Sequence, residues 1–450
     1  MDLFGTAGVR GPVRSKITPS LAVKLGRAAA VDGTEFVLGR DGRETGDGLA
    51  AAVSAGLQSG GADVLRLGRV PTPALAYASR GRRGVMVTAS HNPPSDNGLK
   101  FFVDGTEYGN EAERRMESRL DSEPQPVEWN EWGRSNRDDV LEEYRGAVEA
   151  YVVDAVGRCE GVSIAVDCGN GTSSFVTPQV LGSLGASVTT LNASVDGHFP
   201  GRASKPTPES LEDLRSFVAD GQFDIGIGHD GDGDRIVVTD ADGEIVHEDT
   251  VLAILAGHYT ETSAVGDPVV VTTPNASGRI DERVEAAGGR VERTHLGELH
   301  EGVAAVNGRD GDGTSVAFAA EPWKHLHTGF GPWIDATVSA GVITALVATH
   351  GFPDLREPIT ERPYRKVSVE CPDDTKAVAM KRLESRLPEL FSDVETSTEY
   401  GVRLSFPDSS WTLVRPSGTE PYIRIYAESD DVEALVSSVV EAVEGTVREA

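Results

Sequence analysis

One short unit recurs four times along this chain: a β-like apolar run, a loop rich in Gly or Asn, then a helical pattern. It appears at VMVTASHNP (85–93), SIAVDCGNG (163–171), FDIGIGHDGDG (223–233) and PVVVTTPNASG (268–278). Helical stretches such as 208–219 and 280–287 alternate with these runs. Strand and helix in alternation imply α/β layers, in which ligand groups collect at the carboxyl ends of the strands. All four polar loops lie at such ends. At 450 residues the chain exceeds one ordinary core, and two to four domains are expected.

Breaks in the pattern mark the boundaries. A polar, Pro-containing interval at 121–139 precedes a helical segment at 140–157, and FPDLREPITERP (352–363) reads as a linker. The last segment changes character, to short strands with helices around 375–386 and 432–447. Expected domains are 1–145, 146–245, 246–355 and 364–450, the last a smaller α+β unit.

Composition narrows the partners. A net charge of -29 and a pI of about 4.7 argue against nucleic acid and against an anionic membrane, because both reward Lys and Arg. Only 8 of the 42 Lys and Arg residues are Lys, a balance that resembles proteins of salt-adapted archaea. Cys159, Cys168 and Cys371 form neither a disulfide framework nor a close metal cluster, and they read as free thiols in a reducing cytoplasm. The start, MDLFGTAGVRG, lacks the apolar stretch of a signal peptide, and no apolar run approaches the roughly 18 residues of a membrane span. Assembly is not legible, and monomer and weak homodimer both stay open.

The most specific loop is GHDGDGDRI (228–236). Asp230, Asp232 and Asp234 alternate with glycines, so three carboxylates can converge on one hard cation. A calcium EF-hand fails at the sixth position, where Arg235 replaces the required Gly, and at the twelfth, where Ala241 replaces Glu. A solvated acidic turn is the plainer alternative, but three carboxylates repel unless a cation or Arg lies among them. Magnesium fits, above all with phosphate oxygens as further ligands.

Three other loops carry candidate chemistry. FGTAGVRG (4–11) offers glycine amides and Arg10 as a phosphate cradle. RPSGTEPYIRIY (415–426) places Arg415, Ser417, Gly418 and Thr419 within five residues, with Arg424 one strand segment onward. Planar Arg donors and backbone amides suit a phosphoryl group. In TASHNPPSDNGLK (88–100), Ser90 is a helix cap, a nucleophile or a carrier of a group, and the turns after it allow Lys100 to fold back.

Taken in order, these loops resemble those of the phosphohexomutase family, the phosphoglucomutase, phosphomannomutase and phosphoglucosamine mutase enzymes. The likeness covers nearly the whole chain and adds a Thr-x-x-Gly segment in RTHLGE (293–298) and a Glu-Pro sugar loop in AAEPWKHLH (319–327). It implies three consecutive α/β domains with mixed sheets plus a smaller C-terminal α+β domain around a central cleft. It also implies reversible phosphoryl transfer between C1 and C6 of a hexose phosphate, through phosphoserine at Ser90 and a hexose 1,6-bisphosphate.

Carried over, Ser90 is the phosphoryl carrier, with His91 and Asn92 beside it. Magnesium is held by Asp230, Asp232, Asp234 and the Ser90 group. Arg10, Lys100 and Arg235 neutralise the transferring group or assist proton movement, Arg235 as an oriented donor because Arg stays protonated. Thr294, Gly297, Glu298, Glu321, Trp323 and His325 contact the sugar, while Arg415, Ser417, Gly418, Thr419 and Arg424 hold the phosphate that is not moving. Two departures stand out: Ala320 replaces the usual Gly, and Trp323 occupies a Ser position, either stacking on the sugar or packing the loop. Mannose and glucose phosphates lead as substrates, with glucosamine phosphate as the alternative. A metal-dependent sugar phosphatase and a non-enzymatic sugar-phosphate binding protein are minor alternatives.

Overall fold

The computed structural model describes residues 3–5, 8–122, 124–309, 313–417 and 420–450. Four sheets follow one another along the chain. The first is mixed: strands Glu35–Arg40, Asp63–Arg69, Arg83–Val87 and Ser135–Arg137 run parallel, and Asp96–Val103 pairs antiparallel with both Arg83–Val87 and Val9–Pro12. Its strands alternate faces as period two requires. Val85 and Val87 enter one apolar cluster with Phe36 and Leu38, whereas Met86 and Val37 enter another on the opposite face.

The second sheet pairs Ser163–Asp167 in parallel with Ser187–Leu191 and Ile225–His229, and closes with antiparallel Ile236–Thr239. The third pairs Asp267–Thr272 in parallel with Arg290–Arg293 and Thr314–Glu321, and Lys324–Leu326 folds back on its edge. The fourth is wholly antiparallel, five strands between Tyr364 and Glu428, covered by helices Asp373–Arg386 and Val432–Glu449. Three mixed α/β layers and a smaller α+β layer are the architecture that the alternation and the family resemblance imply.

One apolar core runs through the first three layers. Helix Ala336–His350 lies at its middle, buried from Ala336 to Val347 on every side, as expected for a helix apolar all round. Asp335 starts it by accepting from Thr337 N and Val338 N, both at 3.0 Å. The fourth layer keeps a separate core around Leu404, Ile425 and Val439. It is tied to the third by a buried pair, Arg279 Nη2 to Glu428 Oε1 at 2.8 Å. Among the described residues no helix is long and apolar enough to cross a membrane.

Candidate active site

Strand geometry assembles the centre. Antiparallel pairing sets Lys100 opposite Met86, so the chain returns from the Ser90 loop directly alongside it. The metal-loop candidates follow strand Ile225–His229, and packing of the first two sheets brings their carboxyl-end loops together. Ser90 Oγ donates to Asp230 Oδ2 at 2.6 Å, and Lys100 Nζ donates to Asp234 Oδ2 at 2.9 Å. Thr72 Oγ1 donates to Asp232 Oδ2 at 2.7 Å. Ser90, Lys100 and the three aspartates are all buried. At Gly231 a Cβ would stand 2.7 Å from Ser204 Oγ and 3.1 Å from Ser90 O, so glycine permits this close approach.

The carboxylates of Asp230, Asp232 and Asp234 lie with ligand atoms within 4.8 Å of one another. Burial, together with Asp234 and Asp232, pushes Asp230 well above the usual carboxylate range. Burial acts on Asp234 in the same sense, but Lys100, Lys324 and Arg235 outweigh it and hold Asp234 well below that range. Arg235 Nε stands 3.9 Å from both Asp230 Oδ2 and Asp234 Oδ1. His91 Nδ1 is 3.4 Å from Ser90 Oγ, and burial with Arg235 and Arg10 nearby pushes its pKa down to about 3.

A cleft of about 640 Å³ opens in front of this cluster, lined by Arg10, His91, Asn92, Arg235, Gly297 and Glu321, with Lys16, Glu107, His300 and Lys324. Arg10 Nε and Nη2 are buried there without a protein partner. Gly297 adopts φ +84° and its N–H donates to Glu321 Oε1 at 2.6 Å. A wider groove of about 990 Å³, around Asp224, Asp240 and Phe352, contains none of the candidate site residues.

The other sugar-contact candidates lie elsewhere. Thr294 Oγ1 donates to Glu298 O within its own loop, and Glu298 Oε1 accepts from Asn110 of the first layer at 2.8 Å. Trp323 has φ +67° and packs among Leu211, Leu214 and Val237 of the second layer, so of its two readings the geometry favours packing. His325 is fully enclosed, with Nδ1 3.0 Å from Ser339 Oγ, and it lines no part of the cleft. Strand alternation explains the difference: Glu321 and Lys324 pair across a two-residue turn and face the cleft, and His325, one position on, faces the core.

The C-terminal candidates form a group of their own. Arg415 Nη2 donates to the Tyr426 hydroxyl at 3.1 Å, Arg424 pairs with Glu420, and Ser417 is buried. None of these lines the cleft. Gly418 and Thr419 lie outside the described residues.

Several contributors escaped the motif reading. Lys324 lines the cleft, and Lys376 Nζ donates to Ser417 O at 2.9 Å and to Glu420 O behind the C-terminal loop. Arg202 Nη2 donates to His229 O at 2.6 Å behind the aspartate loop. Arg43 lies behind the serine loop. The signal for Arg43 was present in EFVLGRDGRETG (35–46), a further strand, Gly-rich loop and helix unit.

Family models match this chain in three segments: the phosphoglucomutase/phosphomannomutase alpha/beta/alpha domain I over residues 1–126, domain II over 142–243, and the C-terminal domain over 367–445. The chain belongs to the phosphoglucomutase/phosphomannomutase family. Among its relatives, a phosphopentomutase of Thermococcus kodakarensis is 42% identical over 95% of this chain and 94% of its own length. A protein of Methanopyrus kandleri named probable phosphoglucosamine mutase is 40% identical, covering 96% and 94%. A Burkholderia thailandensis family member superposes with a TM-score of 0.85 over 99% of this chain and 97% of its own, at 24% identity. The Aspergillus fumigatus N-acetylphosphoglucosamine mutase, solved with GlcNAc-6P and magnesium, shares the fold at a TM-score of 0.61 and 16% identity, covering 99% and 96%. This family member is an enzyme of the isomerase kind, a mutase.

The family implies a metal and a phosphoserine, and the residues present fit a hard cation. Asp232 Oδ1 and Asp234 Oδ1 are buried acceptors with no hydrogen-bond partner, beside a third carboxylate.

Proposed function

We propose that the protein moves a phosphoryl group between C1 and C6 of a hexose phosphate, with Ser90 as the carrier. The observation that carries this reading is the Ser90 Oγ to Asp230 Oδ2 contact of 2.6 Å, buried next to His91 and close behind a cleft lined by Arg10, Lys16, Arg235 and Lys324. A serine on a buried acidic cluster with Lys100 beside it suits a group that gains and loses phosphate. The sugar hydroxyl attacks the phosphorus of phospho-Ser90, the bond from phosphorus to Ser90 Oγ breaks, and the hydroxyl proton ends on Ser90 Oγ. The bisphosphate then turns round, and its other phosphoryl returns to Ser90 Oγ. Arg10, Arg235 and Lys100 spread the charge of the group in flight. His91 serves as a hydrogen-bond partner of the phosphoryl oxygens.

Asp230, Asp232 and Asp234 would hold magnesium, which supplies charge neutralisation at the transferring group. Asn92 borders the carrier, and Gly297 with Glu321 meets sugar hydroxyls. Ser417, Arg415 and Arg424, with Gly418 and Thr419, hold the resting phosphate. Trp323 and His325 support the sugar loop from behind.

Glucosamine phosphate now leads as substrate, ahead of mannose and glucose phosphates, because relatives from several archaea bear the phosphoglucosamine mutase name. A pentose phosphate is the second reading, motivated by the Thermococcus relative. The test supplies magnesium, a trace of bisphosphate and each 1-phosphate of glucosamine, N-acetylglucosamine, glucose, mannose and ribose. Turnover highest on glucosamine 1-phosphate is expected. No exchange on any sugar, with Ser90 shown to be phosphorylated, would sink the mutase reading.

A further inference from the structure

The Arg43 side chain is completely buried, yet it touches neither the cleft nor the aspartates. Its contacts are with the loop that carries Ser90. Nη2 donates to Ser90 O at 2.8 Å and Asn92 O at 2.7 Å, and Nη1 donates to Pro93 O at 2.6 Å and Asp96 O at 2.9 Å. Nε donates to Asp41 Oδ2 at 3.1 Å. A guanidinium has five N–H donors, and all five are used here. Arg43 therefore has nothing left with which to bind a substrate. The Phe199 ring covers its guanidinium at 5.2 Å.

Four carbonyl dipoles converging on one point repel one another unless a cation occupies that point. Removing the cation therefore acts first on the path of residues 90–96. That path is unusual at Ser90, whose φ of +50° lies in the left-handed region that non-glycine residues avoid. The Ser90 peptide is clamped from both sides. Its N–H donates to Thr88 Oγ1 at 2.9 Å, and Thr88 Oγ1 in turn donates to Asp41 Oδ2 at 2.7 Å. Its carbonyl accepts from Arg43 and from Ser204 Oγ, the latter at 2.9 Å.

We infer that Arg43 is the positioning residue of the carrier loop, an internal template that holds Ser90 in its left-handed conformation and so directs Oγ at Asp230. This inference rests on the reading of Ser90 as the phosphoryl carrier. Lysine cannot replace it, because one ammonium has three donors radiating from a single atom and no planar fork.

The test compares wild type with Arg43→Lys in three measurements: hydrogen exchange of amides 88–97, the rate at which bisphosphate phosphorylates Ser90 by intact mass, and kcat and KM. The expectation is a folded variant with exchange at least tenfold faster, confined to that loop. Phosphorylation rate and kcat should fall about 100-fold, as a misplacement of roughly 1 Å predicts, with KM within threefold of wild type. If Arg43→Lys does not fold, Thr88→Val removes the neutral half of the same clamp and should show the same pattern at about tenfold. Unchanged loop exchange, or a loss expressed wholly in KM, would overturn the inference. A wild type that takes up no phosphate at Ser90 would remove the carrier reading instead, while loop exchange still decides whether Arg43 is the template.

Discussion

Ser90 and Asp230, 140 positions apart, meet through a hydrogen bond of 2.6 Å that joins the first layer to the second. The donor is the serine hydroxyl, so this contact belongs to the unphosphorylated protein. A phosphoryl group on Oγ removes the proton and sets negative charge against the carboxylate. Ser90→Ala is expected to fold and to lose phosphoryl uptake and turnover by at least about 1000-fold, because no neighbouring oxygen can carry the group. Intact mass and turnover on the same preparation check this. A folded Ala variant with near-wild-type turnover would refute a serine-carried mechanism.

Lys100 is the cation nearest the aspartates, 2.9 Å from Asp234 and 3.7 Å from Asp232. Lys100→Met leaves the buried carboxylates with only Arg235 and Lys324 as nearby cations, and breaking a buried pair from one side costs about 3–5 kcal/mol. The loss should be largest in chelator and smaller in millimolar magnesium, which replaces the missing charge. Thermal melts with and without magnesium test this directly. Equal losses in both conditions would count against a cation site at the aspartates.

Trp323 joins the loop of residues 319–327 to the second layer, and Ile236 N donates to its carbonyl at 3.1 Å. Trp323→Ala should cost about 2–3 kcal/mol, somewhat less than the cost of truncating a fully buried Trp. It should also raise KM, since Glu321 and Lys324 lose their support. Trp323→Ser should do the same, with no gain from the restored hydroxyl. Denaturant unfolding with steady-state kinetics separates the effects. An Ala variant of wild-type stability with raised KM would point to stacking on the sugar.

Glu113 supplies a pH signature away from the metal candidates. Burial pushes its carboxyl up to about 7, and Glu107 adds to this, followed by Glu117 and Glu301. A folded-state pKa above the usual 4.5 means the fold binds this proton more tightly than the unfolded chain. Its contribution is complete below the unfolded value and is lost as pH rises toward 7. Glu113→Gln should therefore melt increasingly above wild type between those values, and the gap should be constant at higher pH. Melting curves of both proteins across that range provide the check. A gap that does not change with pH would rule out titration at this residue.

Much of this protein could be read along the chain because the relevant physics is local. Strand–loop–helix alternation fixes the layer type, and spacing alone brings Asp230, Asp232 and Asp234 into one loop. Period two explains why Met86 faces away from Val85 and Val87. Ser90 and Lys100 lie within one hairpin, so their proximity was also legible. The remainder depended on which surfaces meet. Thr72 reaches Asp232 across 160 positions and Glu298 reaches Asn110 across 188, and no spacing rule relates such pairs. Motif matching placed His325 at the sugar, but strand alternation and the packing of helix Ala336–His350 enclose it in the core. Arg43 stands in sequence in one more Gly-rich loop after a strand, and nothing in that spacing names its partners. Only the folded chain surrounds it with four carbonyls, because burying a charge is tolerable solely where the tertiary path brings its partners to it.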